Sequence, residues 1–330
     1  MAQAIDNGSL QFRHPEAGYQ KKKHKRKKEQ LSSALFIICM LAWPILQFLV
    51  FWLYVNFGTI FMSFQKLDYG SGQIVWVGLE NYEWLWDKLT YMDAPDLWYC
   101  IRNSIILFLV NNFVILPISL FAAYIFYKKL PGRNFYRVVF FLPNIISIVV
   151  LTMAFSFMLD SSFGPFNELL KAIGLGGIIP ANGWLGDKNT AMGTIVFYCI
   201  WAGIGGNIIL VTGAMNRIPK EVIEAGQIDG IGMWREFFRV VVPLIGPTIA
   251  TLFINGITAI FTIFLQSQLL TKGGPYGHLS GTIALYIVEL VDGGELYHAA
   301  TVGVFFSIIG IALIVVVKKV VDLLTPDIEY

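Results

Sequence analysis

An all-α polytopic membrane protein with six transmembrane helices is the fold class this sequence predicts, and three observations predict it. The first is composition: of 330 residues, 56% are hydrophobic and only 14% charged, against about 25% charged in an average soluble domain. The second is spacing. Stretches free of Asp, Glu, Lys and Arg recur at 31–64, 103–127, 138–157, 191–216, 244–271 and 299–317, and each approaches or exceeds the roughly 20 residues a bilayer core requires. The third is where the charge goes. With a cytoplasmic amino terminus, the inner segments hold 8, 4, 4 and 2 Lys or Arg, which is 18 of the 24 in the chain, while the outer segments hold 6 basic against 12 acidic residues. Inner loops rich in Lys and Arg orient such proteins, so both termini are expected in the cytoplasm.

Residues 1–30 form a polar tail that ends in Lys21-Lys22-Lys23-His24-Lys25-Arg26-Lys27-Lys28. Placed directly before a membrane span, this run reads as a cytoplasmic anchor on anionic lipid and not as a nucleic-acid-binding patch. The apolar run that follows is too long for a cleavable signal peptide and carries no small-residue cleavage site. Residues 31–64 are one long, peripheral helix in which Pro44 is the expected kink. Residues 65–100 form an extracytoplasmic segment, with a turn at Gly70–Gln73 and an aromatic cluster from Trp76 to Trp86 suited to the membrane interface. Residues 101–317 are the transmembrane core, and 318–330 a cytoplasmic tail. A short amphipathic piece from Leu279 to Val291 reads as an outer interfacial helix.

Several chemistries are excluded. No phosphate-binding G-x-x-x-x-G-K-[ST] loop occurs, so the chain has no nucleotide site of its own. His14, His24, His278 and His298 lack ligand spacing and read as solvated surface. Cys39, Cys100 and Cys199 are odd in number and far apart, which fits small apolar residues and neither a disulfide framework nor a metal site. The span interiors carry no ionisable group to relay protons or ions. A secondary transporter or channel, driven by a gradient and indifferent to ATP, is the alternative reading, and the charge-free spans oppose it.

The polar interlude at 217–245 stands out in so apolar a chain. Its core reads IPKEVIEAGQIDGIGMWREFFRVVVPLIGP from Ile218 to Pro247. Pro219 fits the first position of a helix, and Glu221 and Glu224 follow in its first turns, where the helix dipole favours negative charge. Gly230 and Gly232 punctuate, and a second short helix from Met233 to Val241 is expected to stop before Pro243.

This interlude resembles the EAA loop of the permease subunits of binding-protein-dependent ABC importers. The matching residues are Ile218-Pro219, Glu224-Ala225, Asp229-Gly230, Phe237-Phe238 and Pro243, with Gly226 where the family usually has a second alanine. Further matches suit the carbohydrate-uptake, maltose-type branch: Asn103-Ser104 at the second span, Arg133 to Arg137 followed by Phe141-Leu142-Pro143, Trp201 in the fourth span, and Thr271-Lys272-Gly273-Gly274-Pro275 after the fifth. The region covered runs from about Trp76 to Val317. One departure is Phe264-Leu265, where the family often has Phe-Asp.

What the resemblance implies is a type I ABC importer permease fold in a bacterial plasma membrane, with five core helices behind a peripheral first one. The loop would be the coupling helix, with Pro219, Glu221, Glu224, Ala225, Gly226, Asp229 and Gly230 seated against a separate ATPase. The implied partners are a second, homologous permease subunit, two ATP-binding cassette subunits that hold ATP and magnesium, and an extracytoplasmic solute-binding protein. No cofactor is implied in this chain itself. Sugar or oligosaccharide cargo would meet uncharged polar and aromatic residues in spans three to five. Asn144, Tyr198, Trp201, Asn207, Asn255 and Gln266 fit that description, and each serves equally well as a helix–helix hydrogen bond or an interface packer.

Overall fold

A computed structural model describes residues 33–90, 95–128, 132–273 and 279–324. The polybasic run at 21–28, His14, His24, His278, Lys129, Gly274-Pro275 and the end of the tail lie outside the described residues. The chain divides into a unit up to Thr59 and a second from Ile60 onward.

The first unit is most of helix α1 (Ser33–Met62), which carries no charged residue and is long and apolar enough to cross a membrane. Such a helix needs lipid around it. The irregularity expected at Pro44 appears just beyond it instead, as a π-turn at Phe48–Leu53 closed by the Tyr54 amide on the Leu49 carbonyl.

The second unit opens with an element that the all-α expectation did not contain. Strands β1 (Gln65–Asp68) and β2 (Gln73–Trp76) pair antiparallel, with Gln65 opposite Trp76 and Leu67 opposite Ile74. Asp68 holds the connecting turn by accepting from the Ser71 hydroxyl and the Gly70 amide, which keeps its carboxyl below the usual range. Helix α2 (Glu80–Thr90) follows. Its buried Asn81 donates to the carbonyls of Ser63 and Gln65 at 3.0 and 2.8 Å, and Thr301 donates to the same Ser63 carbonyl. Asn81→Ala would take this donor from the Gln65 carbonyl at about 1–3 kcal/mol, while Thr301 still holds the Ser63 carbonyl. Faster limited proteolysis between Gln65 and Trp76, with the remaining helices still protected, is the expected outcome.

The helical body comprises α3 (Pro95–Val110), a π-turn (Asn111–Ile115), α4 (Leu116–Tyr127), α5 (Arg133–Ile145), α6 (Ile148–Met158), α7 (Pro165–Ala172), α8 (Ala191–Met215), α9 (Lys220–Ile228), α10 (Met233–Glu236), α11 (Gly246–Thr262), α12 (Leu265–Thr271), α13 (Ile283–Asp292) and α14 (Leu296–Leu324). Four helical stretches among the described residues cross a membrane by length and composition: α1, α3 with α4, α8 and α14. The count is six when two bent pairs each count as one crossing.

The bends correct two expected straight spans. The third, at 138–157, breaks by 105° between α5 and α6, where Ile146 and Ser147 turn extended (ψ 139° and 135°). Pro143 lies one turn earlier and weakens the ladder there. The fifth, expected at 244–271, instead begins at Met233, bends by 74° at Ile245 and ends at Thr262. The chain turns extended at Ile263, and α12 is a separate short helix. The Ile263 carbonyl released by that break accepts from the Thr282 hydroxyl at 2.6 Å.

The piece expected as an outer interfacial helix is also corrected. In α13 the residues Ile283 to Tyr286 are buried, and Ile283 and Tyr286 join Leu85, Leu97, Ile257, Val302 and Phe306 in one apolar cluster. Asn103 donates to the carbonyls of Leu279 and Gly281 at 2.8 and 2.9 Å, and Ser104 accepts from the Ile283 amide. Only the end of this piece, from Val291, is exposed.

Candidate functional site: an exposed acidic helix and a cavity at two helix breaks

Helix α9 owes its shape to its ends. Pro219 sits at the cap, not at the first helical position, with ψ 135°. At the other end Asp229, Gly230 and Ile231 donate to the carbonyls of Ala225, Gln227 and Gly226. This is the Schellman arrangement, which needs a left-handed residue after the cap, and Gly230 supplies it with φ +69°. Ile218 and Ile223 are buried in the cluster formed by α4, α8 and the start of α11. They hold the helix down by one face. Glu221, Glu224, Ala225, Asp229 and Gly230 are exposed on the rest, and Ile228 is 87% exposed. Gly226 is half-buried, and a side chain there would meet the Ile231 methyl at an ordinary 3.5 Å, so close packing is not what position 226 requires.

The second short helix does not stop before Pro243. It passes through a π-turn at Phe237–Val241, closed by the Val242 amide on the Phe237 carbonyl, and reaches Leu244. Wider hydrogen bonding accommodates a proline that a regular α-helix would reject.

Three of the six pathway candidates come together. Asn144, Tyr198 and Gln266 line a cavity of about 420 Å³, along with Asn111, Pro143, Ile146, Ile148, Cys199 and Ile263. Its walls include two of the three chain breaks described above, near Ile146–Ser147 and Ile263. Interrupted helices that border a polar cavity inside a membrane protein have their freed backbone groups satisfied there and nowhere in lipid. Asn144 donates to the Ala202 carbonyl at 3.0 Å, and the Tyr198 hydroxyl pairs with Thr152 at 2.8 Å, so part of each side chain is committed to the scaffold. Trp201, 40% exposed, faces Phe155 and lines a second, apolar cavity of about 650 Å³ together with Trp184, Phe166 and Phe197. Asn207 and Asn255 line neither cavity. Asn111 lies on the second span, outside the three spans searched in the sequence. Its signal was an Asn-Asn pair in an otherwise apolar segment.

Comparison with known proteins identifies the family. The family model for the binding-protein-dependent transport system inner membrane component matches residues 115–330. A probable ABC transporter permease protein, YurN of Bacillus subtilis, is 29% identical over 82% of this chain and 90% of its own length. A probable starch degradation products transport system permease protein, AmyD of Thermoanaerobacterium thermosulfurigenes, is 31% identical over 70% of this chain and 74% of its own. Among solved structures, a chain of a bacterial ABC transporter involved in the import of the acidic polysaccharide alginate superposes with a TM-score of 0.77 at 22% identity, over 91% of this chain and all of that one. At that identity the likeness is one of fold. The match across more than half of the sequence establishes the family, and the chain is a member of the binding-protein-dependent inner-membrane transport components.

Proposed function

We propose that this permease forms one half of an ATP-driven import pathway for sugars or oligosaccharides in a bacterial plasma membrane, with both termini in the cytoplasm. The observation that carries the reading is α9: an amphipathic helix between two membrane crossings that holds one face in the core and offers Glu221, Glu224, Asp229 and Ile228 to a partner. A chain without a phosphate loop needs such a contact to draw on ATP. Pro219, Glu221, Glu224, Ala225, Gly226, Asp229 and Gly230 make up the surface that meets the ATPase, which binds ATP and magnesium. A second permease completes the pathway, and a solute-binding protein delivers cargo from outside. ATP and the loaded binding protein both favour the outward-open state and so bias one two-state element.

A saccharide is supported by the starch-product relative and by the chemistry of the 420 Å³ cavity, whose polar groups are amides and a phenol with no charge. Among the described residues the side chains of Asn111 and Gln266 make no hydrogen bond to the scaffold, and they would meet sugar hydroxyls. One such bond is worth about 0.5–1.5 kcal/mol, so Asn111→Leu and Gln266→Leu should each lower uptake about tenfold or less, with basal ATP hydrolysis retained. Asn207→Leu and Asn255→Leu should stay near the parent rate.

Co-purification of the tagged chain from its native membrane tests the assembly, and uptake of a panel of labelled oligosaccharides by vesicles tests the cargo. Recovery of an ATPase, a second permease and ATP-dependent uptake is the expected result. A lone homo-oligomer with gradient-driven uptake would overturn the reading.

A further inference from the structure

Between α4 and the segment that follows α9 lies a buried ionic and aromatic contact whose residues the coupling surface does not include. The Lys128 ammonium at the end of α4 lies 2.6 and 2.7 Å from the two carboxylate oxygens of Glu236. The Glu236 side chain is only 4% exposed and that of Lys128 23%. Removing one partner from such a pair leaves a buried charge uncompensated, so this is not an incidental surface contact. One turn back, the Tyr124 hydroxyl donates to the Met233 carbonyl at 3.2 Å. Phe121 stacks on Trp234 with centroids 5.2 Å apart and planes 2° from parallel, and both Phe121 and Tyr124 touch Phe237. Phe121, Tyr124 and Lys128 recur every three to four residues, so one face of α4 makes all of these contacts.

The position of this contact along the chain gives it a role. It grips α10 and Phe237, the first residue of the π-turn at Phe237–Val241, just past the Gly230 turn and before the 74° bend at Ile245. A displacement of α9 therefore reaches a rigid attachment to the second crossing before it reaches the irregular stretch that leads into α11. We propose that Lys128 and Glu236 are a positioning pair that fastens the coupling segment to α4, so that movement of the ATPase is delivered to the second crossing, whose π-turn carries Asn111 into the 420 Å³ cavity. The inference rests on the coupling reading above and adds the route by which the motion travels.

Cys199, which lines that cavity, reports the motion without any cargo. With Cys39→Ser and Cys100→Ala it is the single thiol of the chain, which has three cysteines. The full complex is trapped with ATP, magnesium and orthovanadate, and the rate of Cys199 modification by a methanethiosulfonate ethylammonium reagent is compared with the untrapped complex. Trapping should change this rate about fivefold or more, the lower range of typical coupling between sites. In Glu236→Gln and in Lys128→Gln the ratio should fall close to one although vanadate still arrests hydrolysis, whereas Lys128→Arg, which keeps the pair, should retain it.

The ratio is internal to each sample, so a lower yield of folded complex does not mimic the effect. If Glu236→Gln cannot be recovered, Lys128→Gln, at the half-exposed rim, decides. A parent-like ratio in the neutral variants, or its loss in Lys128→Arg as well, overturns the proposal. A parent complex that binds no ATPase, or whose Cys199 ignores trapping, is a different failure, that of the coupling reading itself.

Discussion

Glu224→Lys is expected to abolish ATP-dependent uptake and to strip the ATPase from the purified complex, with the permease itself still folded. Glu224 is exposed on α9 and its carboxylate has no hydrogen-bond or ion-pair partner among the described residues, so its charge is free to act on a partner. On the coupling reading proposed above, reversing it would exchange an attraction for a repulsion at the ATPase contact, and like charges brought together at an interface cost several kcal/mol. Gly230→Val should do similar damage by another route. A side chain there would meet nothing within 4 Å, but the backbone stands at φ +69°, which costs a residue with a side chain about 1–2 kcal/mol. The Schellman closure by Gly230 and Ile231 would open, and α9 would lose its fixed angle to α10. Co-purification from native membrane separates the two: Glu224→Lys should lose the ATPase outright, while Gly230→Val should retain some and transport little. Uptake at the parent rate in both would remove α9 from the coupling role.

The parts of this molecule that were legible in its sequence are those written in period and charge. The crossings could be found because lipid tolerates only long uncharged helices, and the polar interlude stood out against them. Glu221 and Asp229 stood out through a helix-start charge and a match to the EAA loop, and the fold leaves both exposed. The bends were not legible. Ile146 and Ser147 are ordinary residues; Pro143 marks a weak point one turn earlier, but nothing in the local sequence gives the size of the 105° bend. The same holds at Ile263, whose freed carbonyl is satisfied by Thr282, nineteen residues away. The burial of Ile283 to Tyr286 was hidden for a similar reason: the amphipathic pattern of α13 says that one face is covered, and Asn103 and Ser104, far off in sequence, show that protein covers it. Lys128 was counted only as one of the inner basic residues, and nothing in the sequence singled out Glu236. Only the fold brings them together across 108 positions.

Gly205→Ala is expected to be the most damaging single-methyl change in the membrane core. A Cβ at Gly205 would lie 2.3 Å from the Phe140 carbonyl oxygen and 2.5 Å from the Asn144 amide nitrogen. The first of these is backbone, so relief requires α5 to move away from α8. Small residues at helix crossings allow this kind of approach in membranes, and overfilling a packed contact costs about 1–3 kcal/mol. The displacement would also pull Asn144 from the Ala202 carbonyl and shift the break at Ile146–Ser147 that walls the cavity, so transport should fall along with stability. Two neighbours on the same helix provide the scale. At Gly203 the nearest atom is the flexible end of Ile115 at 3.1 Å, and at Gly213 nothing lies within 4 Å. Gly203→Ala should therefore be mild, and Gly213→Ala neutral or stabilising by about 0.5–1 kcal/mol, because alanine restricts the unfolded chain. Thermal denaturation of the three variants in detergent, with uptake measured in parallel, should rank them in that order. If Gly205→Ala melts with Gly213→Ala, the helices are not in contact at Gly205, and the cavity beside them is not held by that crossing.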